Sequence, residues 1–199
     1  MIYGSYSELE RRTLVAKYCP DGIFRSLLTA LALRIGVPIS FRELGRTLGI
    51  DQKTVMRHVD TLEKSGVVYG LNSFASIVKR REMSKGKKIY FYDTGIRNAL
   101  ISNFNSLNMR SDGDVLWKNL IISRRMEYRQ NQNISVNQYY WQTYDGSHID
   151  LVEEKDGKLS GFNIEWGLKN PAEPKKWAEY KNSSYRVINQ TNFTEFIKA

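Results

Sequence analysis

The stretch from Ile39 to Val68, ISFRELGRTLGIDQKTVMRHVDTLEKSGVV, constrains the fold of this chain more than any other. It is punctuated as two short helices joined by a tight turn. Ser40 can cap the first helix, with Glu43 three residues on to complete a capping box. Leu44 and Leu48 fall one turn apart on one face. Gly49 stands where a helix ends in a positive-φ residue. Asp51 caps the next helix, whose apolar positions Val55, Val59 and Leu62 keep the 3.6-residue period, and Gly66 closes it. That leaves Gln52, Lys53, Thr54, Arg57 and His58 at the start and outer face of the second helix. Such side chains reach base edges and phosphates when a recognition helix enters the major groove. The blander reading is a helical hairpin with a solvated polar face, or one that docks on protein.

Charge supports the polyanion reading and localises it. The 199 residues carry a net charge of +9, all of it in residues 1–110, while residues 111–199 balance. Residues 67–88 hold six cations and one anion. Two short strands, Val67–Tyr69 and Ile77–Arg81, are expected around GLNSFAS, in the position of a wing. Lys79, Arg80, Arg81, Lys85, Lys87 and Lys88 lie on its tip and outgoing strand, placed to meet a phosphate backbone. A lysine-rich loop that only keeps the chain soluble is the alternative.

Upstream, residues 7–18 and 21–35 read as helices, the second capped by Asp21, stopped at Gly36 and apolar on most sides. Downstream come an aromatic strand at Lys88–Asp93 and a short helix from Thr94. Residues 102–113, NFNSLNMRSDGD, are polar and without period. They set a boundary between a helical domain, 1–101, and a second domain, 112–199. The second domain is read as a helix at Val115–Arg129 and three strands, Gln138–Thr143, His148–Glu153 and Leu159–Trp166. A helix at Pro171–Lys181, a strand at Tyr185–Ile188 and a helix at Asn192–Ile197 follow. Asp145-Gly146 and Asp156-Gly157 are hairpin-turn dipeptides. Trp141 is expected in the core with a neighbouring tyrosine turned outward, and Glu153–Asp156 as a solvated hairpin. The class is α+β with a mixed sheet.

Several phrases, KKIYFYDTGIRNALI, VLWKNLIISRR, YYWQTYDGSHIDLVEEKDGKL and YRVINQTNF, resemble the C-terminal region of a family of bacterial AAA-type ATPases. That resemblance implies a winged helix-turn-helix followed by a domain like the PD-(D/E)XK nucleases. It also implies an ATPase module as partner. No G-x-x-x-x-G-K-[ST] phosphate loop is present, so no nucleotide hydrolysis is expected from these residues. In the nuclease-like fold a helix Glu, a strand Asp and an E-x-K pair form the site. Two carboxylates hold a divalent cation that acidifies its water, and the Lys stabilises charge on the phosphate. Here Asp150 matches the strand Asp. Lys118 stands at the helix Glu position, and Asn163 and Glu165 at the E-x-K pair. With a cation where the carboxylate belongs and a carboxylate where the cation belongs, the resemblance implies a non-catalytic accessory module. The alternative is a nuclease with Mg2+ held by Asp150 and Glu165, Asn163 lending an oxygen.

Other chemistry is sparse. His58 and His148 are far apart and no zinc spacing occurs. Cys19, the single cysteine, excludes an internal disulfide, fits a reducing cytoplasm and suits packing better than nucleophilic attack. No run reaches the length of a membrane helix. The expected partners are DNA, an ATPase module or a second copy of the chain.

Overall fold

The computed structural model describes residues 22–74, 86–106 and 109–199. Among them are six helices and a seven-stranded mixed sheet. They form two compact units, one within Met1–Gly70 and Lys87–Ser123, the other within Leu71–Gly86 and Arg124–Ala199. The expected helix over 7–18, the Asp21 cap, Cys19 and the strand Ile77–Arg81 lie outside the described residues.

In the first unit the order is α1 (Gly22–Leu33), β1 (Pro38–Ile39), α2 (Phe41–Leu48), α3 (Gln52–Lys64), β2 (Val68–Ser73), β3 (Lys87–Phe91), α4 (Thr94–Leu100) and the start of α5 (Gly113–Asn131). The caps sit where the sequence places them. Ser40 accepts the Glu43 N–H, Gly49 takes φ 68° after α2, and Asp51 accepts the Thr54 N–H. Leu27, Leu28 and Leu31 of α1 pack with Leu44, Val55, Val59 and Leu62, and with Val68, Ile89 and Phe91 of the strands. β1 pairs antiparallel with β3, and β3 lies between β1 and β2.

β2 runs to Ser73, so the GLNS residues expected as loop are strand. Leu71 is buried, which rewards extending the strand past Gly70. A Cβ at Gly70 would displace the ion pair that Lys87 and Glu63 make beside it at 2.6 Å.

The polar stretch read as a boundary is held by ionic contacts. The Arg110 side chain is fully buried and donates to both Asp112 oxygens, to the Asn103 carbonyl and to Asn98. Arg97 also pairs with Asp112 while donating to the Ala32 carbonyl at 3.0 Å. Burial with paired charges replaces the apolar period that the sequence lacks there. Asn119 on α5 exchanges two hydrogen bonds with the Phe91 backbone, at 2.7 and 2.8 Å.

The second unit contains the end of β2 and of α5, then β4 (Asn137–Gln142), β5 (His148–Lys155), β6 (Lys158–Ile164), β7 (Ser183–Ile188) and α6 (Phe193–Lys198). Strand order is β2-β4-β5-β6-β7; the β4–β5 and β5–β6 pairs are antiparallel, β2–β4 and β6–β7 parallel. The Asp156-Gly157 turn has positive φ at both residues, the mirror-image turn that a two-residue hairpin requires.

Three expectations fail here. Pro171–Lys181 is not a helix but a chain of turns. Pro171 and Pro174 supply no N–H, and only isolated turns form, where Trp177 and Ala178 donate to the Pro174 carbonyl and Tyr180 to that of Trp177. Trp177, buried against Trp141, anchors the segment instead. Tyr140 and Trp141 are both buried and Tyr139 is half-buried against the cluster that holds Trp141, so none of the three rings stands exposed. Glu153 is not solvated; it is 5% exposed and paired to two arginines.

Candidate functional site

The geometry of α3 follows from its cap and its buried stripe. With Val55, Val59 and Leu62 turned inward, Gln52, Lys53 and Arg57 are exposed on the opposite side. Thr54 is committed elsewhere: its hydroxyl donates to Asp51 at 2.6 Å. That bond, with the Thr54 N–H, holds the Asp51 carboxyl below its ordinary range. His58 is half-buried, its ring edge-on to Phe24 at 5.2 Å. α2 comes close to the turn, since a Cβ on Gly45 would lie 2.7 Å from the Ile50 carbonyl oxygen. The exposed polar face of α3 is therefore narrower than the sequence implies.

The expected basic wing narrows as well. Lys79, Arg80, Arg81 and Lys85 lie outside the described residues. Lys87 is ion-paired to Glu63, and Lys88 is buried at 5% exposure. Neither of those two offers a free cation to a phosphate backbone.

In the second unit, Asp150 and Asn163 are buried neighbours on β5 and β6. The Asp150 carboxylate accepts the Ile164 N–H at 2.9 Å, and the Asn163 side-chain oxygen accepts the Asp150 N–H at 3.2 Å. Glu165 follows β6, its N–H donating to the Ile188 carbonyl at 2.8 Å. Tyr185 joins these residues, with its hydroxyl pushed up to about 12. Desolvation is the largest cause; the Asn163 hydrogen bond opposes it, and the negative charges of Glu165, Asp150 and Glu173 add to it. Lys118 is half-buried on the first-unit part of α5. Among the described residues no group of three His, Cys, Asp or Glu is placed to hold a metal ion. One carboxylate oxygen of Asp150 and the side-chain oxygen of Asn163 are each engaged by a backbone amide.

The sequence reading missed an enclosed charged group of the second unit. Arg125 donates through Nε and Nη2 to both Glu153 oxygens at 2.7 Å, and through Nη1 to the Phe196 carbonyl. Its guanidinium also lies 4.0 Å from the Phe196 ring centre. Arg129 reaches the same carboxylate at 2.7 Å, and Gln138 adds a bond at 3.3 Å. One signal was available: Arg125 and Arg129 continue, at helical spacing, the face that carries buried Ile121 and Ile122.

Residues 16–107 match a family described as "Domain of unknown function (DUF8612)", and residues 114–195 one described as "Domain of unknown function (DUF4143)". The second is a C-terminal domain of AAA-ATPase-associated proteins. Two curated proteins are similar, the uncharacterized protein Rv2008c of Mycobacterium tuberculosis and the uncharacterized protein Mb2031c of Mycobacterium bovis. Each is 30% identical over 148 residues, which is 73% of this chain and 32% of the relative. The chain thus spans about a third of the length of the curated relatives it matches. No solved structure matches.

Proposed function

We propose that the chain is a non-catalytic accessory module of the AAA-type ATPase family, in which α3 contacts duplex DNA. One observation carries the reading: α3 buries Val55, Val59 and Leu62 and exposes Gln52, Lys53 and Arg57 from its first turns. The order helix, strand, helix, helix, strand, strand of the first unit suits a winged helix, in which such a helix enters the major groove. The net charge of +9 favours a polyanion. The second unit is a scaffold of nuclease-like ancestry. Its support is the resemblance of Asp150 and its surroundings, together with the use of the Asp150 carboxylate as an internal acceptor. Lys118 and Glu165 carry charges exchanged relative to a working nuclease.

Electrophoretic mobility shift with duplex DNA tests this. A shift is expected that weakens as salt rises and is lost in Lys53→Glu and Arg57→Glu. A salt-independent homodimer with no DNA shift would favour protein docking instead. Plasmid cleavage with Mg2+ that disappears in Asp150→Ala would establish the nuclease alternative.

A further inference from the structure

We propose that the second unit holds a terminal phosphate, gripped by Arg129 of α5 together with Lys155, Lys158 and Ser160 of the β5–β6 hairpin. The inference is independent of any DNA contact by α3.

Charge balance points there first. Arg125 and Arg129 share one carboxylate, Glu153, with side-chain exposures of 4, 12 and 5%. Two buried cations on one buried anion leave a positive charge in excess. Arg125 is saturated by Glu153 and the Phe196 carbonyl, but Arg129 is not. Its Nε is fully buried and has no hydrogen-bond partner. A buried donor without an acceptor is costly, so the Arg129 guanidinium keeps hydrogen-bonding capacity that Glu153 does not use.

The hairpin points to the same place. Lys155 and Lys158 are directly paired across the turn, and Glu153 is paired with Ser160. Alternation along the strands puts all four on one face. Like charges opposite each other repel, unless an anion lies between them. Arg129, Glu153, Lys155, Lys158 and Ser160 line one cavity of ≈ 340 Å3, within the range of small-ligand pockets. Asp156 is the other carboxylate in its wall. The cavity lies toward the far end of β5 from Asp150, its nearest wall residue Glu153 about 10 Å along the strand and Lys155 about 16 Å, so it is separate from the nuclease-like positions.

The ligand follows from these groups. A guanidinium donor, two ammonium groups and a hydroxyl suit a dianion with several oxygens. A diester in a nucleic-acid backbone carries one charge and continues on both sides. A hollow of this size beside the turn of one hairpin suits a chain end, as in free phosphate or a small phosphorylated molecule.

Isothermal titration calorimetry on the full chain at low ionic strength tests this with inorganic phosphate, pyrophosphate, adenosine 5′-diphosphate and a 5′-hydroxyl DNA duplex. Saturable binding of one or more of the three phosphates is expected. Equal affinity for inorganic phosphate and the nucleotide indicates free phosphate as the ligand; tighter nucleotide binding indicates a phosphorylated small molecule. Arg129→Lys keeps the ion pair and deletes Nε, and Lys158→Gln changes an exposed residue. Each should weaken binding about tenfold, with thermal melts confirming that both variants fold. No saturable heat from any of the three phosphates at about 10 mM, or binding unchanged in Lys158→Gln, overturns the proposal. So does binding of the duplex alone.

Discussion

The Asp150 carboxylate accepts the Ile164 backbone N–H at 2.9 Å inside the sheet of the second unit. A carboxylate so used holds β5 to β6 where the backbone does not. Asp150→Ala would strand the Ile164 N–H and should cost about 1–3 kcal/mol in urea denaturation. Asp150→Asn keeps an oxygen acceptor and should cost clearly less. Equal losses in the two variants would mean that charge, rather than the bond to Ile164, is what the site needs.

Arg125→Ala should be among the most damaging single changes in this chain. It removes the bidentate partner of buried Glu153 and leaves that carboxylate to Arg129 and Gln138. Breaking a buried pair from one side costs roughly 3–5 kcal/mol. Arg125→Lys should recover only part of this, since an ammonium cannot reproduce the fork. Chemical denaturation of the two variants beside the parent chain gives the comparison.

Gly45→Ala sets two effects of opposite sign against each other. Alanine favours a helix over glycine by about 1 kcal/mol. Against that, the new Cβ would lie 2.7 Å from the Ile50 carbonyl oxygen, a backbone atom of the turn. Because the obstacle is backbone, the turn between α2 and α3 must shift. The substitution should lower the melting temperature and weaken any DNA binding that depends on the placement of α3.

Acid sensitivity should trace in part to Asp112. Hydrogen bonds from Arg110 are the main cause, with Arg97 adding to them, that hold its carboxyl far below the ordinary 3.8. A depressed folded pKa means stability that is present above the unfolded value and lost as pH falls toward the folded one. The contribution should thus be complete at neutral pH and decline below about pH 4. Thermal melts from neutral to strongly acidic pH should show Asp112→Asn less stable than the parent at neutral pH, with the gap closing in acid. A constant gap would assign the loss to packing.

What was legible in the sequence is what short-range chemistry decides. Ser40, Gly49 and Asp51 act through the next few residues, so the two helices around the turn could be placed from letters alone. The Asp156-Gly157 turn was legible for the same reason. Long-range pairing was not. Arg110 looks like linker until Asp112, Asn98 and Asn103 are seen around it. Glu153 looks like a surface charge until α5 brings Arg125 to it. The residues Pro171–Lys181 carry helix-forming letters, but their prolines and the burial of Trp177 decide otherwise. Of the candidate interface, the exposed faces of Lys53 and Arg57 were legible from period. The withdrawal of Thr54 into the cap, of Lys87 into an ion pair and of Lys88 into the interior was not.

The most direct test of DNA contact by α3 is fluorescence anisotropy of a labelled duplex titrated with the chain over a series of salt concentrations. Each phosphate neutralised adds about 0.9 to the slope of log affinity against log salt. The double variant Lys53→Gln/Arg57→Gln should bind more weakly and show a slope shallower by about 2. The same affinity and slope in the parent and the double variant, or no binding by the parent at about 50 mM salt, would contradict it.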